Sequence, residues 1–185
     1  MKLIKWSLNN QKEQWFLYRY DGKEWQQISQ LIIENRIYFF DILKSLYEPI
    51  DFAFIGLYLP YRNAICTAMP RTQIIIQPQA VCGFIKHFYQ MPIQVLDEVA
   101  VSMDRQLKED QQEVELFLTT FYEAQSLDEA KAIYDKWQIE RSLWNELGNK
   151  LQLMMSIYEE EILNYFKYAY ILPYFIEAIE EDRIH

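Results

Sequence analysis

The stretch Gln14–Ser29, QWFLYRYDGKEWQQIS, decides how the chain begins to fold. QWFLYRY (Gln14–Tyr20) is rich in aromatic, β-prone side chains that fit a pleated, half-buried surface. Asp21-Gly22 then supplies a two-residue type I′ turn, whose central positions both need positive φ. KEWQQIS returns as the next strand. Upstream, KLIKWSL (Lys2–Leu8) partly alternates apolar with polar residues and is closed by the turn signal NNQK. The three runs predict an antiparallel meander.

Outward from the meander, the patterns shorten and then lengthen. In QLIIENRIYFFDILKSLYE, apolar residues Phe39, Ile42, Leu43, Leu46 and Tyr47 recur at helical spacing, and Pro49 stops that helix. DFAFIGLYL (Asp51–Leu59) is a continuous apolar run that predicts a buried strand ended by Pro60. NAICTAM and TQIIIQ read as further short strands ended by Pro70 and Pro78, and AVCGFIKHFYQ (Ala80–Gln90) as a short helix. From about Val95 the spacing predicts long helices. One covers Asp104–Gln125. The next starts at the capping box Ser126–Glu129, in which Ser accepts from an early backbone N–H and Glu reaches back, and runs to about Glu140. A third covers about Leu143–Tyr170, with an interruption expected near Gly148. Pro173 bends or ends it, and YFIEAIEEDRIH adds a last turn or two. The expected class is α+β: an antiparallel or mixed sheet with short helices over residues 1–100, and an acidic helical bundle over 101–185, together one compact unit.

Composition agrees with a folded chain. Of 185 residues, 51% are hydrophobic and 16% aromatic, enough to form a core and too apolar for a disordered chain. Only four glycines are present, which argues against glycine-rich phosphate loops. The net charge of −9 is uneven: residues 1–100 carry +1 and residues 101–185 carry −10. Such acid repels nucleic-acid phosphates and anionic membranes, and steers toward basic partners. It equally describes a solvated helical face that keeps the protein soluble. Cys66 and Cys82 match no zinc or redox spacing, so reduced thiols in a cytoplasmic protein are expected. MKLIKWSLNNQKEQ lacks the apolar core and cleavage site of a signal peptide.

SIYEEEILNYFKYAYILPYF (Ser156–Phe175) sets three glutamates among seven aromatic rings. Glu159, Glu160, Glu161, Asn164 and Lys167 break the roughly 20-residue apolar run that spanning a bilayer requires. A membrane-surface helix carries Lys and Arg on its polar face rather than glutamate. Ile162, Phe166 and Ala169 share one helical face, joined by Leu163, Tyr165 and Tyr170. That apolar arc is wider than a one-sided surface helix needs. It faces either the protein's own core or, in part, a shared interface, including that of a homodimer. Glu159, Glu160, Glu161, Tyr165, Phe166 and Tyr170 are therefore the candidate partner-binding residues, with the glutamates expected in solvent.

No residue set forms a catalytic signature. His87 and His185 are the only histidines, and His185 is terminal. Cys82 and His87, five apart on a predicted helix, form a conceivable nucleophile–base pair without the third group that would orient it. The carboxylate-bridged metal pattern needs Glu three residues before His, and neither histidine has one. No phosphate-loop, dinucleotide, nucleophile-elbow or zincin motif occurs. No metal and no cofactor are expected. Basic residues are scattered, with Arg62 and Arg71 the nearest to a pair, so no nucleic-acid partner is expected.

The segments IIENRIYFFDILKSL, DFAFIGLYLPYRNAICTAMP and PQAVCGFIKHFYQMPIQVLDEVAVSMD follow one another in a telling order. A helix is followed by an apolar run ending in Leu59-Pro60, a second ending in Met69-Pro70, another helix, and an acidic stretch with Glu98-Val99 and Asp104. Over its first hundred or so residues the chain resembles the PilM/HofM family, actin-like cytoplasmic scaffolds of type IV pilus and DNA-uptake machines. The resemblance implies a scaffold. The family's glycine-rich nucleotide loops have no match here, and the chain is too short for a two-lobed actin fold, so no nucleotide-site residue carries over. The expected function is non-catalytic binding of another protein with a basic surface, as scaffold, adaptor or immunity-type inhibitor. The alternatives are an enzyme using Cys82 and His87, and a homodimer subunit meeting through Tyr165, Phe166 and Tyr170.

Overall fold

Strands β1 (Lys2–Asn9), β2 (Lys12–Tyr20) and β3 (Trp25–Ile32) form the expected antiparallel meander, with Trp6 opposite Trp15 and Tyr20 opposite Trp25. The computed structural model describes residues 1–9, 12–32, 38–46, 49–89, 97–141 and 145–169. Helix α1 (Phe39–Ser45), strand β4 (Phe52–Ile55), helix α2 (Leu59–Ala68) and strand β5 (Gln73–Ile76) follow. The sheet order is β3-β2-β1-β4-β5, with β1, β4 and β5 mutually parallel along the sheet. The chain is α+β, its sheet mixed. By backbone contacts it divides into a sheet unit, residues 1–77 with 168–185, and a helical unit, residues 78–167.

The sheet unit's centre follows from its strand sequences. All four residues of β4 are buried, as are Ile74–Ile76 of β5, which is why both read as continuous apolar runs. Trp15 is fully buried and stacks on Phe39 of α1 at 4.4 Å, while Tyr61 of α2 meets it edge-on at 5.2 Å. Gly56, just past β4, lies so close to the Trp6 indole that a Cβ there would stand 2.7 Å from the ring. Edge strand β3 is exposed over residues 26–30, and its pairing with β2 shifts between Leu17 and Tyr18, leaving Ile28 without an opposite residue. Such a bulge twists an edge strand away from pairing with another chain.

Three local expectations are corrected. The Asp21-Gly22 turn is not the two-residue type I′ form. Four residues separate the strands; the Asp21 carboxylate accepts from the N–H groups of Lys23 and Glu24, and Gly22 takes φ 106°. Those two N–H bonds, Glu24's first, hold the Asp21 carboxyl below its ordinary pKa. The predicted strand through Leu59 ends at Ile55, and NAICTAM is helix α2, not a strand. Pro60 does not end a strand here. It stands in the first turn of α2, where its fixed φ suits a helix and its missing N–H costs no bond.

The helical unit holds α3 (Pro78–Tyr89), α4 (Asp97–Tyr122), α5 (Leu127–Glu140), α6 (Glu146–Ile157) and α7 (Glu159–Lys167). α4 thus starts before the predicted Asp104 and ends before Gln125. Ser126 caps α5 as predicted, accepting from the Glu129 N–H at 3.2 Å, and Glu129 Oε2 in turn accepts from the Gln125 N–H at 2.8 Å. The third predicted helix is broken at Tyr158, not near Gly148. Gly148 lies in the first turn of α6, its N–H donated to the Asn145 side chain at 2.6 Å. The break starts a new helix at Glu159, so the three glutamates occupy a first turn, where the positive end of the helix dipole favours them. The core is built from Val114, Phe117, Leu118 and Phe121 of α4, Ala130, Tyr134 and Trp137 of α5, Leu151 and Met155 of α6, and Ile162 and Phe166 of α7.

Candidate functional site

α4 and α5 put one ring each face to face: Phe117 stacks on Trp137 at 4.2 Å with 16° between planes. Above this floor lies a groove of about 420 Å³, lined by Glu113, Leu116, Phe117 and Thr120 of α4 and by Ile133, Lys136, Trp137, Glu140 and Arg141 at α5. On each helix the lining residues recur at i, i+3, i+4 and i+7, the spacing by which one helix presents a face to another. Leu116 stands at the rim 70% exposed.

The groove's polar ends are held from behind. Asn145 is fully buried and ties the start of α6 to α4: its amide donates to Glu113 Oε2 at 3.0 Å and to the Asp110 carbonyl at 3.3 Å. Glu113 Oε1 is out of solvent and has no hydrogen-bond partner among the described residues. The Arg141 guanidinium donates to the side chains of Asn149 and Gln152 and lies 5.7 Å from the Trp137 ring centroid. Lys136 and Glu140 pair at 3.8 Å in solvent. Behind the floor, Phe121 meets Phe166 edge-on at 5.0 Å, and Tyr122 meets Tyr165 at 5.6 Å. Burial pushes up the pKa of the Tyr122 hydroxyl, and those of Tyr134 and Tyr165 as well.

The candidate partner-binding residues separate. Glu159 and Glu160 are exposed at the start of α7. Glu161 is 95% out of solvent and Phe166 is buried in the helical core, which corrects the expectation that all three glutamates are solvated. Glu161, Ile162, Leu163 and Asn164 are all buried, a whole turn of α7 enclosed on every side, and the third glutamate falls within it. Tyr165 is half-buried, and Tyr170 lies outside the described residues, as do Pro173 and the last predicted turn. Cys82 is half-buried on α3 and Cys66 exposed on α2. His87 falls within α3, but its side chain is not among those described, and His185 lies outside them. Among the described residues no group of three His, Cys, Asp or Glu side chains could hold a metal ion, and no helix is long and apolar enough to cross a membrane.

The groove itself escaped the sequence reading. One signal was present. Val114, Phe117, Leu118 and Phe121 set the buried stripe of α4, and Leu116 is out of phase with it. Leu116 is set apart from other exposed apolar residues such as Ile139 by its place in the groove lining. No protein-family model matches the chain, and no curated protein matches it.

Proposed function

We propose that this chain is a non-catalytic protein that works by binding another protein through its helical unit. The observation that carries the reading is the α4–α5 groove: an apolar, ring-floored trough with Leu116 raised at its rim, set in the acidic part of the molecule. The helical unit carries 16 acidic and 8 basic side chains, whereas the sheet unit carries 11 and 10. Apolar contact area set in a strongly acidic unit suits a steered interface: charge speeds encounter and rejects wrong partners, and the desolvated centre supplies affinity.

Within this reading the scaffold or adaptor version has one support of its own, the PilM-like resemblance of the first hundred or so residues. The immunity-type inhibitor version draws on the acid alone, as does the expectation of a basic partner; the cytoplasmic setting draws on the two cysteines, which match no zinc or redox spacing. Affinity capture with the tagged full chain, at low and high salt, tests the proposal, with Leu116→Asp run beside the parent. A protein held by the parent at low salt and released at high salt is the expected result. Capture of nothing that salt or Leu116→Asp changes would overturn it.

A further inference from the structure

We propose that the sheet unit holds a small-molecule site of its own, a cavity at the ends of α1 and α2 that takes an aliphatic monocarboxylate. The chain lies on the apolar wall, and the carboxylate is held by Lys44 and Arg71. This goes beyond the protein-binding reading and does not depend on it.

The wall selects an aliphatic chain. α1 packs on α2, and the residues around their last turns enclose a cavity of about 350 Å³. Sites for small ligands run from about 300 to 1,000 Å³, so this one suits a short molecule. Leu43, Leu46, Ile50, Ala68 and Met69 line it with aliphatic and thioether surface, and Leu43 and Ile50 are buried. The polar groups beside them are already engaged. The Thr72 hydroxyl donates to the Ile50 carbonyl at 2.7 Å, the Thr72 N–H to the Met69 carbonyl at 3.0 Å, and the Leu46 N–H to the Leu43 carbonyl at 3.2 Å. No aromatic ring stands among the described lining residues. A base would find nothing to stack on, and a sugar or peptide no free group to pair with.

The charge selects the head group. Lys44 and Arg71 are the only charged residues among the described lining. Arg71 is exposed and makes no hydrogen bond or ion pair among the described residues. Lys44 Nζ stands 4.2 Å from the Phe40 ring centroid, a contact that orients the ammonium and leaves its charge in place. Two described carboxylates are near in sequence, and neither lines the cavity. Asp41 is exposed one turn before Lys44, and Asp51 accepts from the Lys2 N–H at 2.7 Å and lines a separate cavity with Lys2 and Arg19.

The opposing charge is that of the two helix ends. Each end carries about half a negative charge, so together they offset about one of the two cations. Neutralising the end of α1 accounts for Lys44 in its last turn. It leaves a surplus of about one positive charge, which matches a monoanion. The Arg71 guanidinium can fork onto both oxygens of a carboxylate. The α4–α5 groove has no such surplus, since its lining sets Glu113 and Glu140 against Lys136 and Arg141.

The test titrates the full chain, with labelled Ile, Leu and Met methyl groups, against octanoate, octanamide and octylammonium, each below its micelle-forming concentration. Octanoate is expected to move the Leu43, Ile50 and Met69 methyl signals saturably. It should bind at least about tenfold more tightly than octanamide, the gain of charged over neutral hydrogen bonding. From butanoate through hexanoate to octanoate, each CH₂ that enters should tighten binding about fourfold. Lys44→Gln with Arg71→Gln should lower octanoate to the octanamide level, and Ala68→Leu, which fills the cavity, should weaken both. Melting curves establish that the variants are folded.

Equal binding of octanamide, or octanoate binding that the charge variant leaves unchanged, overturns the head-group assignment. Tighter binding of octylammonium means that the helix ends outweigh the two side chains, and overturns it as well. Shifts centred on Leu116 and Ile133 put the ligand in the α4–α5 groove, and absence of saturable shifts removes the cavity as a site. Either ends the proposal. None of these results bears on capture of a partner by the helical unit, which is tested by Leu116→Asp.

Discussion

Trp15 in the sheet unit and Phe121 in the helical unit are both fully buried, and each is the hub of a ring cluster. Trp15 gathers Phe39 and Tyr61; Phe121 gathers Phe117, Tyr134, Tyr122 and Phe166. Both units bury indole N–H groups without a partner among the described residues, Trp15 in one and Trp137 in the other, but tyrosine hydroxyls are handled differently. The sheet unit engages its tyrosine hydroxyls: Tyr61 donates to the Glu13 carboxylate, and Tyr168, which also meets the Phe52 ring at 5.1 Å, donates to Gln73 at 2.9 Å. The helical unit buries the Tyr122 hydroxyl with no partner among the described residues, and places side-chain caps at the starts of α5 and α6. Neither α1 nor α2 has a side-chain cap. Charge differs too, near balance in the first unit and strongly acidic in the second. An aromatic-rich composition therefore says how each unit is stabilised, and the placement of charge is what sets the two units apart.

The largest effect expected is at the hubs. Phe121→Ala removes a ring from the middle of four others and should cost about 3–5 kcal/mol, the usual loss for a buried Phe. Trp15→Ala should cost as much. Urea titration of each variant measures both. If Phe121→Ala cost under about 1 kcal/mol, the likeness between the two clusters would fail, and the helical rings would have to be read as contact surface.

Next comes the clip that fixes the groove. Asn145→Ala removes the cap of α6 and leaves both Glu113 oxygens short of a donor. The loss should be about 2–3 kcal/mol, combining a cap with buried acceptors left unmet. The same variant should disturb the Leu116 and Ile133 methyl signals more than those of the sheet unit. An even spread of shifts would break the assignment of Asn145 to the helical unit's polar scaffold.

The meander was legible because β-prone rings and an Asp-Gly turn pointed to the same answer. The α2 segment was not. Pro60 closes an extended run and opens a helix by the same property, a fixed φ, so local sequence leaves the choice to packing, which Tyr61 and Ile65 decide by being buried. In the same way, the EEE run was legible as acid but not as two exposed glutamates and one buried one. That split depends on the break at Tyr158, and no Gly or Pro marks it. Phe166 was legible as apolar and not as core, since helical spacing alone cannot tell an inner face from a shared one. The groove stayed hidden for a related reason. Its floor is made by two rings twenty residues apart, and only the off-phase Leu116 hints at it.

The smallest effects test the contrast in tyrosines. Tyr61→Phe takes away a bond to a carboxylate and should cost about 1.5 kcal/mol. Tyr122→Phe removes a hydroxyl with no described partner and should change stability at neutral pH by no more than about 0.5 kcal/mol. The two tyrosines should separate further at high pH. Burial raises the folded Tyr122 pKa above the ordinary phenol value of 10.0. Above that value the unfolded chain releases this proton while the folded one keeps it, so the native state binds more protons and stability falls as pH rises. The fall approaches ~1.4 kcal/mol per pH unit for one such group. Phenylalanine has no proton to lose. Tyr122→Phe should therefore match the parent below about pH 10 and outlast it above, in denaturant titrations run at both ends. If the two titrate alike throughout, the Tyr122 hydroxyl is in contact with water, and the helical unit buries its tyrosines no more completely than the sheet unit engages its own.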